Sequence, residues 1–415
     1  MKQLQVLLRE RKARGYQIAK TSKVIEKDGV WFVPSASNPH QVYQVVLTLE
    51  GAKCTCEDYK ERSVYGLKCK HYFAVQYVLT KTINRDGTTT ITQTKRTTYP
   101  QDWSNYTKAQ TEEGRLFKEL LKDLVENVPE RIREGAGRPR VPLSEGLFCA
   151  IDKVYSMQSS RRAYSRYKEA ESKMQITKAP NYNVINILLN RQDMTPILTN
   201  LLHITALPLK STETKFSVDS TGFRTTLFSE YCKDKHNTKR QHQWVKCHAL
   251  TGNTTNIVAS AIITTEHAND SPQFIPLLQD TANQGFSMLE VSADKAYNSK
   301  DNYNAVSEIG GTAYIPFKSN TSPWGNSSSQ GSRAKIWRRM YHYFQLNQEE
   351  FLTHYHNRSN VETTFMSIKF KFGDCLKSRN FVAQMNELLC KLIAYNITVL
   401  ISAMYELKIE PNLLS

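Results

Sequence analysis

From residue 215 onward the chain passes through strand-like and helix-like stretches in an order that few architectures accept. Residues 215–219, Lys-Phe-Ser-Val-Asp, alternate Phe216 and Val218 with Ser217 and Asp219, the two-residue period of a half-buried strand. Strands are expected again at 244–250 and 256–265, joined by a Thr251-Gly-Asn turn. A helix at 271–283 leads to a strand at 288–294, where Leu289, Val291 and Ala293 alternate with Glu290, Ser292 and Asp294. A helix around 300–308, a short strand at 312–316, a polar loop to Ser332 and further helices complete the chain.

Three strands, a helix, a strand, a helix and a strand predict an α/β fold, an RNase H-like mixed five-stranded sheet flanked by helices. The strands at 215–219 and 288–294 each end on an Asp directed away from the apolar side, where a turn begins. Open α/β sheets place their ligand chemistry at the carboxyl ends of strands. If these strands are neighbours, Asp219 and Asp294 meet at one edge, and two carboxylates that close repel strongly unless a cation sits between them.

A third acid lies in Tyr355-His-Asn-Arg-Ser-Asn-Val-Glu-Thr-Thr-Phe-Met-Ser-Ile-Lys369. On a helix, Tyr355, Arg358, Glu362 and Lys369 fall within an arc of about 60° and span about 21 Å. Val361, Phe365, Ile368 and Phe372 share a neighbouring arc of about 60° and predict a packed face. Glu362 has no Lys or Arg four residues on, so the stripe does not read as an ordinary solvated face.

Tyr-x2-Arg-x3-Glu-x6-Lys resembles the signature of a large group of bacterial and archaeal insertion-sequence transposases, and Tyr355, Arg358, Glu362 and Lys369 match it without a gap. The resemblance runs from about Phe216 to Asn396 and includes Val218-Asp-Ser-Thr-Gly222, Ala293-Asp-Lys-Ala-Tyr297 and Tyr314-Ile-Pro-Phe-Lys318. It implies that Asp219, Asp294 and Glu362 form an acidic triad holding two Mg2+ (or Mn2+) ions, and that Tyr355, Arg358 and Lys369 hold DNA near the cleaved phosphate. Water would be the first nucleophile, and the freed 3′-hydroxyl, attacking target DNA, the second. Some relatives carry a large β insertion before the Glu; with 68 positions from Asp294 to Glu362 this chain has no room for one.

A second constellation lies near the N-terminus: Cys54-Thr-Cys56, twelve residues, then Cys69-Lys-His71. Two close pairs of soft ligands suit a closed, structural Zn2+ site, since four protein ligands leave no position for a reacting water. The spacing and the strand-like runs before it resemble the SWIM zinc finger over roughly residues 15–80. Strands at 30–33 and 42–49, a helix at 71–79 and a hairpin turn at Asp86-Gly87 are the local expectations.

Between these parts, residues 96–212 read mainly as helices: 112–128, closed by Pro129, then 144–157, 160–170 and 181–189. From Arg131 to Lys168 nine basic residues face three acidic ones. Gly137-Arg-Pro-Arg140 matches an AT-hook core, with Arg138 and Arg140 suited to a narrow minor groove; a basic linker reads equally well. Arg161, Arg162, Arg166 and Lys168 would lie on the second helix of a helical DNA-binding unit. Asp270 with Gln273 reads as a capping box ahead of the helix at 271–283, beside His267, and Trp324 as a locally packed loop residue.

Composition fits a nucleic-acid partner. Lys plus Arg number 55 against 39 Asp plus Glu, a formal charge of +16. The lone cysteines Cys149, Cys232, Cys247, Cys375 and Cys390 give no disulfide framework. The apolar stretch 392–405 is interrupted by Asn396 and short of a membrane span. The expectation is therefore three domains: a zinc module at 1–95, a basic linker and helical DNA-binding region at 96–212, and an RNase H-like catalytic domain at 213–415. The protein would act on double-stranded DNA (element ends and target) in the bacterial or archaeal cytoplasm or nucleoid, as a homodimer when two ends are synapsed. The alternatives are an RNase H-like nuclease without strand transfer, and a zinc-dependent DNA-binding regulator with an inactive catalytic fold.

Overall fold

The computed structural model describes residues 2–27, 29–36, 38, 41–48, 51–62, 68–83, 89–93, 102–130, 140–225, 244–321 and 334–413. These divide into two units, Met1–Pro100 and Gln101–Ser415. The turn expected at Asp86-Gly87, Arg138, Cys232 and Trp324 lie outside the described residues.

The first unit opens with helix α1 (Lys2–Thr21), over residues where no helix was expected. An antiparallel sheet in the order β1-β2-β3-β4 follows (Ile25–Lys27, Val30–Pro34, Val42–Thr48, Gly51–Cys54). Trp31 and Val33 on β2 and Val45 on β3 turn one face inward against Ile18 of α1 and Ala74 and Val75 of α3 (Lys70–Val78). Helix α2 (Glu57–Arg62) lies between, and Arg11 of α1 donates to Asp58 at 2.7 Å. α1 crosses α3 at Gly15, where a Cβ would stand 2.6 Å from that of Phe73; any larger residue would force the helices apart. Strands β5 (Leu79–Ile83) and β6 (Thr89–Gln93) pair antiparallel.

The second unit begins with α4 (Trp103–Glu126), nine residues before the expected start because the Asp102 side chain caps the Asn105 amide. Helices α5 (Leu143–Tyr155), α6 (Ser160–Ser172), α7 (Tyr182–Leu189) and α8 (Met194–Ala206) follow close to the expected places. The mixed sheet then forms in the order β11-β10-β7-β8-β9. β7 (Lys215–Arg224), β8 (Trp244–Gly252) and β9 (Val258–Thr265) are an antiparallel meander. α9 (Ser271–Asn283) and α10 (Lys300–Glu308) cross over to β10 (Glu290–Ala293) and β11 (Thr312–Tyr314), which run parallel to β7. This is the expected RNase H-like arrangement. α11 (Lys335–Leu346), α12 (Gln348–Tyr355), α13 (Ser359–Phe372) and α14 (Phe381–Glu406) close the chain.

α14 is long and apolar enough to cross a membrane by length and composition, yet 83% of its most apolar window is buried inside the protein. It packs on α4, α5, α8 and β9. Asn396 is its telling residue. Its amide donates to Thr205 Oγ1 and the Val258 carbonyl (3.0 and 2.8 Å), and its oxygen accepts the Val258 amide at 3.0 Å. One fully buried side chain thus ties the helix to the start of β9 and to α8. Asn396→Leu keeps the branching and heavy-atom count but strands both backbone groups of Val258, so unfolding free energy should fall by about 2–4 kcal/mol. Urea denaturation checks this; an unchanged midpoint would mean that Asn396 merely fills space.

Candidate active site

β7 and β10 pair in register from Lys215↔Glu290 to Val218↔Ala293. Asp219 and Asp294 occupy the next position, where the pair ends. β10 stops at Ala293 and Asp294 caps a 3₁₀ turn (Lys295–Tyr297), its carboxylate accepting the Lys295 amide at 2.7 Å. β7 does not stop, contrary to the sequence expectation. It continues five residues past Asp219 to Arg224, because β8 goes on pairing with it up to Trp244. Asp219 therefore lies where one neighbour has left and the other has not, at the mouth of a crevice between β7 and β10.

The third acid comes from the polar face of the sheet. Residues 355–372 are not one α-helix as expected: α12 ends at Tyr355, a 3₁₀ turn (His356–Arg358) intervenes, and Glu362 stands in the first turn of α13. The sheet holds this junction with small hydroxyls. Ser217 Oγ donates to the Asn357 carbonyl at 3.1 Å and Ser292 Oγ to the His354 carbonyl at 3.2 Å. His354 also meets Glu290 at 2.9 Å and stacks on Tyr314 with ring centroids 4.4 Å apart. Burial alone would raise the Glu290 pKa, but hydrogen bonds from Lys215 and His354 bring it below the usual value. None of these clamping contacts was read from the sequence. The only trace was the serines alternating with apolar residues, which look the same whether water or protein covers them.

Two of the three acids meet at one basic residue. Arg358 Nη2 donates to Asp219 Oδ2 at 2.8 Å, and its Nη1 lies 2.9 Å from Glu362 Oε1. The other oxygen of Asp219 accepts the Ser220 amide at 2.8 Å. Burial drives the Asp219 pKa above its usual value; Arg358 opposes the rise and the Glu362 charge adds to it. Burial likewise disfavours the Arg358 charge, but Asp219, Tyr355, Glu362 and Asp294 together hold its pKa above normal. Burial raises the Tyr355 phenol too, with Arg358 opposing and Asp294 and Glu362 reinforcing. Lys369 stands farther along β7: its Nζ donates to Thr221 Oγ1 at 2.6 Å and sits 5.3 Å from the Phe223 ring, and burial lowers its pKa.

The donor type suits hard divalent cations: the carboxylates of Asp219, mostly buried, and Glu362, exposed, meet across Arg358, with Asp294 at the neighbouring strand end. Arg358 supplies the compensating charge from within the chain.

Other expected residues fall differently. Asp270 does not cap α9. Its carboxylate makes no bond to that helix's amides; it accepts Ser220 Oγ at 2.8 Å and lies 2.6 Å from Lys246 Nζ. A cation on the adjoining sheet face outbids a backbone amide. The His267 side chain is 87% exposed beside Glu266, away from the acids. On α6, Arg161 and Arg162 are exposed, Arg161 lying 5.9 Å from the Tyr182 ring. Arg166 instead forms a two-pronged bond to buried Asp152 at 2.6 and 2.8 Å, and Lys168 pairs with Glu171. Arg140 is exposed.

In the first unit Cys54, Cys56, Cys69 and His71 are all buried, with ligand atoms within 4.8 Å of one another. Cys54 Sγ lies 3.8 Å from His71 Nδ1, the edge of a tetrahedron with ~2.3 Å metal–sulfur bonds. Hydrogen bonds from Cys56 and Cys69 push the Cys54 thiol up, while bonds from Cys54 and Cys56 push Cys69 far down towards thiolate. Three thiols in one buried space cannot ionise together without a cation. The cluster is compatible with a structural zinc.

Residues 210–397 match the family described as "Transposase DDE domain". A solved structure, a cryo-EM synaptic complex of piggyBac transposase with hairpin DNA, is 11% identical, covering 69% of this chain and 73% of its own. Its TM-score is 0.32, too low to define a shared fold.

The bridging guanidinium has a measurable consequence. Without metal at about pH 7, Arg358→Gln should lower stability by roughly 1–3 kcal/mol, because Asp219, mostly buried, loses the one cation it bonds among the described residues. Asp219 already has a raised pKa, and removing Arg358 lifts it further. Ionised Asp219 then opposes folding. The deficit is full above the folded-state pKa, shrinks as pH falls through it, and closes once Asp219 is protonated in both states. Chemical denaturation of both proteins at about pH 7 and about pH 4 tests this; an equal deficit at both would remove Asp219 from the explanation.

Proposed function

From the transposase DDE domain at residues 210–397, which makes the chain a DNA transposase, we propose that Asp219, Asp294 and Glu362 hold two Mg2+ or Mn2+ ions. With them the protein cleaves phosphodiester bonds at the element's ends and joins the freed 3′-hydroxyl to target DNA. The observation that carries this reading is the single guanidinium of Arg358 shared between Asp219 and Glu362, beside Asp294. Two acids on one cation, with the field of Asp294 reaching it as well, leave more negative charge than Arg358 alone balances. Two bound ions would clamp the attacking and leaving oxygens of the phosphate.

The chain's own residues bind and orient. The Ser220 amide fixes one oxygen of Asp219, and Arg358 holds the other. Arg358 exchanges carboxylate for phosphate oxygens when DNA and metal arrive, and its planar fork suits either partner. Tyr355 offers a phenol that stays protonated at neutral pH, since its pKa is raised. Lys369, fixed on Thr221, contacts the strand a short way from the cut. Arg140, Arg161 and Arg162, with Arg138, extend the DNA path, and two copies join when two ends are brought together. We place the protein at the nucleoid of a bacterium or archaeon.

DNA carrying the flanking ends of the protein's own gene, with Mg2+ or Mn2+, tests the reading. Asp219→Asn, Asp294→Asn and Glu362→Gln should each lower cleavage by about a thousandfold or more while still binding DNA. Equal cutting by Asp219→Asn and wild type would dispose of the triad. Ends cut but never joined would make the protein a nuclease; ends bound but never cut would make it a regulator.

We also propose that Cys54, Cys56, Cys69 and His71 bind one structural zinc, in a module resembling a SWIM finger. Elemental analysis should find one zinc per chain, lost with Cys69→Ser along with protease resistance within residues 2–93. A zinc-free protein equally resistant there would exclude the site.

A further inference from the structure

Beneath Asp219, on the opposite face of β7, lies a polar knot that the catalytic reading does not use. Ser220 links the two sides: its amide donates to Asp219 and its hydroxyl donates to Asp270 Oδ1. Asp270 in turn holds Lys246 Nζ at 2.6 Å, and Lys246 donates to the Ala268 carbonyl at 3.1 Å, fastening the loop before α9 to the sheet. His248 Nδ1 lies 3.4 Å from Asp270, but this is no ion pair. Burial lowers the His248 pKa to about 4, so the ring is neutral near pH 7. Lys246 is therefore the cation that balances Asp270, and the two form a nearly closed pair, each side chain under 30% exposed. Asp294 is tied to the same place, because Tyr297, in the 3₁₀ turn it caps, is buried against Phe274 of α9.

We propose that Asp270 is a positioning residue for the metal site. It does two things. It pins Ser220, which fixes the Asp219 carboxylate. It also cancels the charge of Lys246, which would otherwise stand as an uncompensated cation close behind a site that must collect cations. A role in stability alone would not alter how much metal the site requires; this one does. The inference rests on the triad reading above.

The test is Mn2+ binding to the full chain, followed by the electron paramagnetic resonance signal of free Mn2+ and expected to weaken in Asp270→Asn, together with the Mg2+ dependence of end cleavage. Asp270→Asn should raise the Mg2+ concentration for half-maximal cleavage by about tenfold, with the rate at saturating Mg2+ changed much less. Lys246→Met/Asp270→Asn removes the stranded cation and should recover a large part of that shift. Ser220→Ala, which deletes one hydroxyl and folds even if Asp270→Asn does not, should move half-saturation in the same direction by a smaller factor. Unchanged Mg2+ dependence in Asp270→Asn and Ser220→Ala would overturn the proposal, as would a double variant no better than Asp270→Asn. Asp219→Ala run alongside separates the failures: if it cuts, the triad falls; if it is inactive while Asp270→Asn titrates like wild type, only this inference falls.

Discussion

Everything in the second unit turns on a four-residue parallel pairing. β7 and β10 run side by side from Lys215 and Glu290 to Val218 and Ala293, then separate. Strands that run parallel bring their carboxyl ends to the same edge; in an antiparallel pair the two aspartates would lie at opposite ends of the sheet. A parallel pair needs a crossover, and α9 supplies it on the face where Phe216 and Val218 are buried. The antiparallel partner β8 has a different task. By pairing with β7 out to Arg224 it keeps Asp219 on a rigid strand past the point where β10 has gone.

The opposite face must do something unusual for a sheet, which is to dock a helix junction through polar contacts. Ser217 and Ser292 are almost wholly buried and donate to one carbonyl within the 3₁₀ turn and one just before it. Glu290 and Tyr314 hold His354 between a carboxylate and a ring. Hydroxyls and a stacked imidazole give direction as well as burial, which a face of valines would not. The direction is what Glu362 needs, because it begins a new helix immediately after the turn and its placement inherits the angle of that turn. The core supporting this polar joint lies elsewhere, in α14 and the helices around it.

What could be read from the sequence, and what could not, follows from the range of each interaction. Strand order, both aspartates and the helical segment carrying Glu362 were legible, because period-two alternation and spacing at three and four are local signals. The continuation of β7 through Ser220-Thr-Gly222 was not, since those residues look like a turn until Trp244 and its neighbours are laid beside them. Asp270 was misread for the same reason: Asp-x-x-Gln is a local cap pattern, and Lys246, twenty-four residues earlier, takes the carboxylate away. α1 escaped because charged residues are spread through its apolar ones; where its side chains are described, Gly15, Ile18 and Arg11 dock it. The four zinc-type ligands were legible because their chemistry is uncommon enough to stand out singly.

Arg358 shows why one signature position must be an arginine. A site that gathers Asp219, Asp294 and Glu362 accumulates repulsion whenever divalent cations are not bound, and burial at Asp219 makes this worse. The guanidinium reaches Asp219 with one terminal nitrogen and Glu362 with the other, so a single side chain links acids from two different elements. A lysine ammonium is a point donor on a flexible stem and could not bridge both in a fixed plane. The same fork that suits two carboxylates also suits two oxygens of a phosphate. Under the proposed two-metal reading, Arg358 would hold the acids together in the resting protein and give them up to metal without becoming an unpaired charge, provided DNA arrives with the metal. On that reading the protein's own counter-charge would favour metal loading in the presence of substrate over metal loading in its absence.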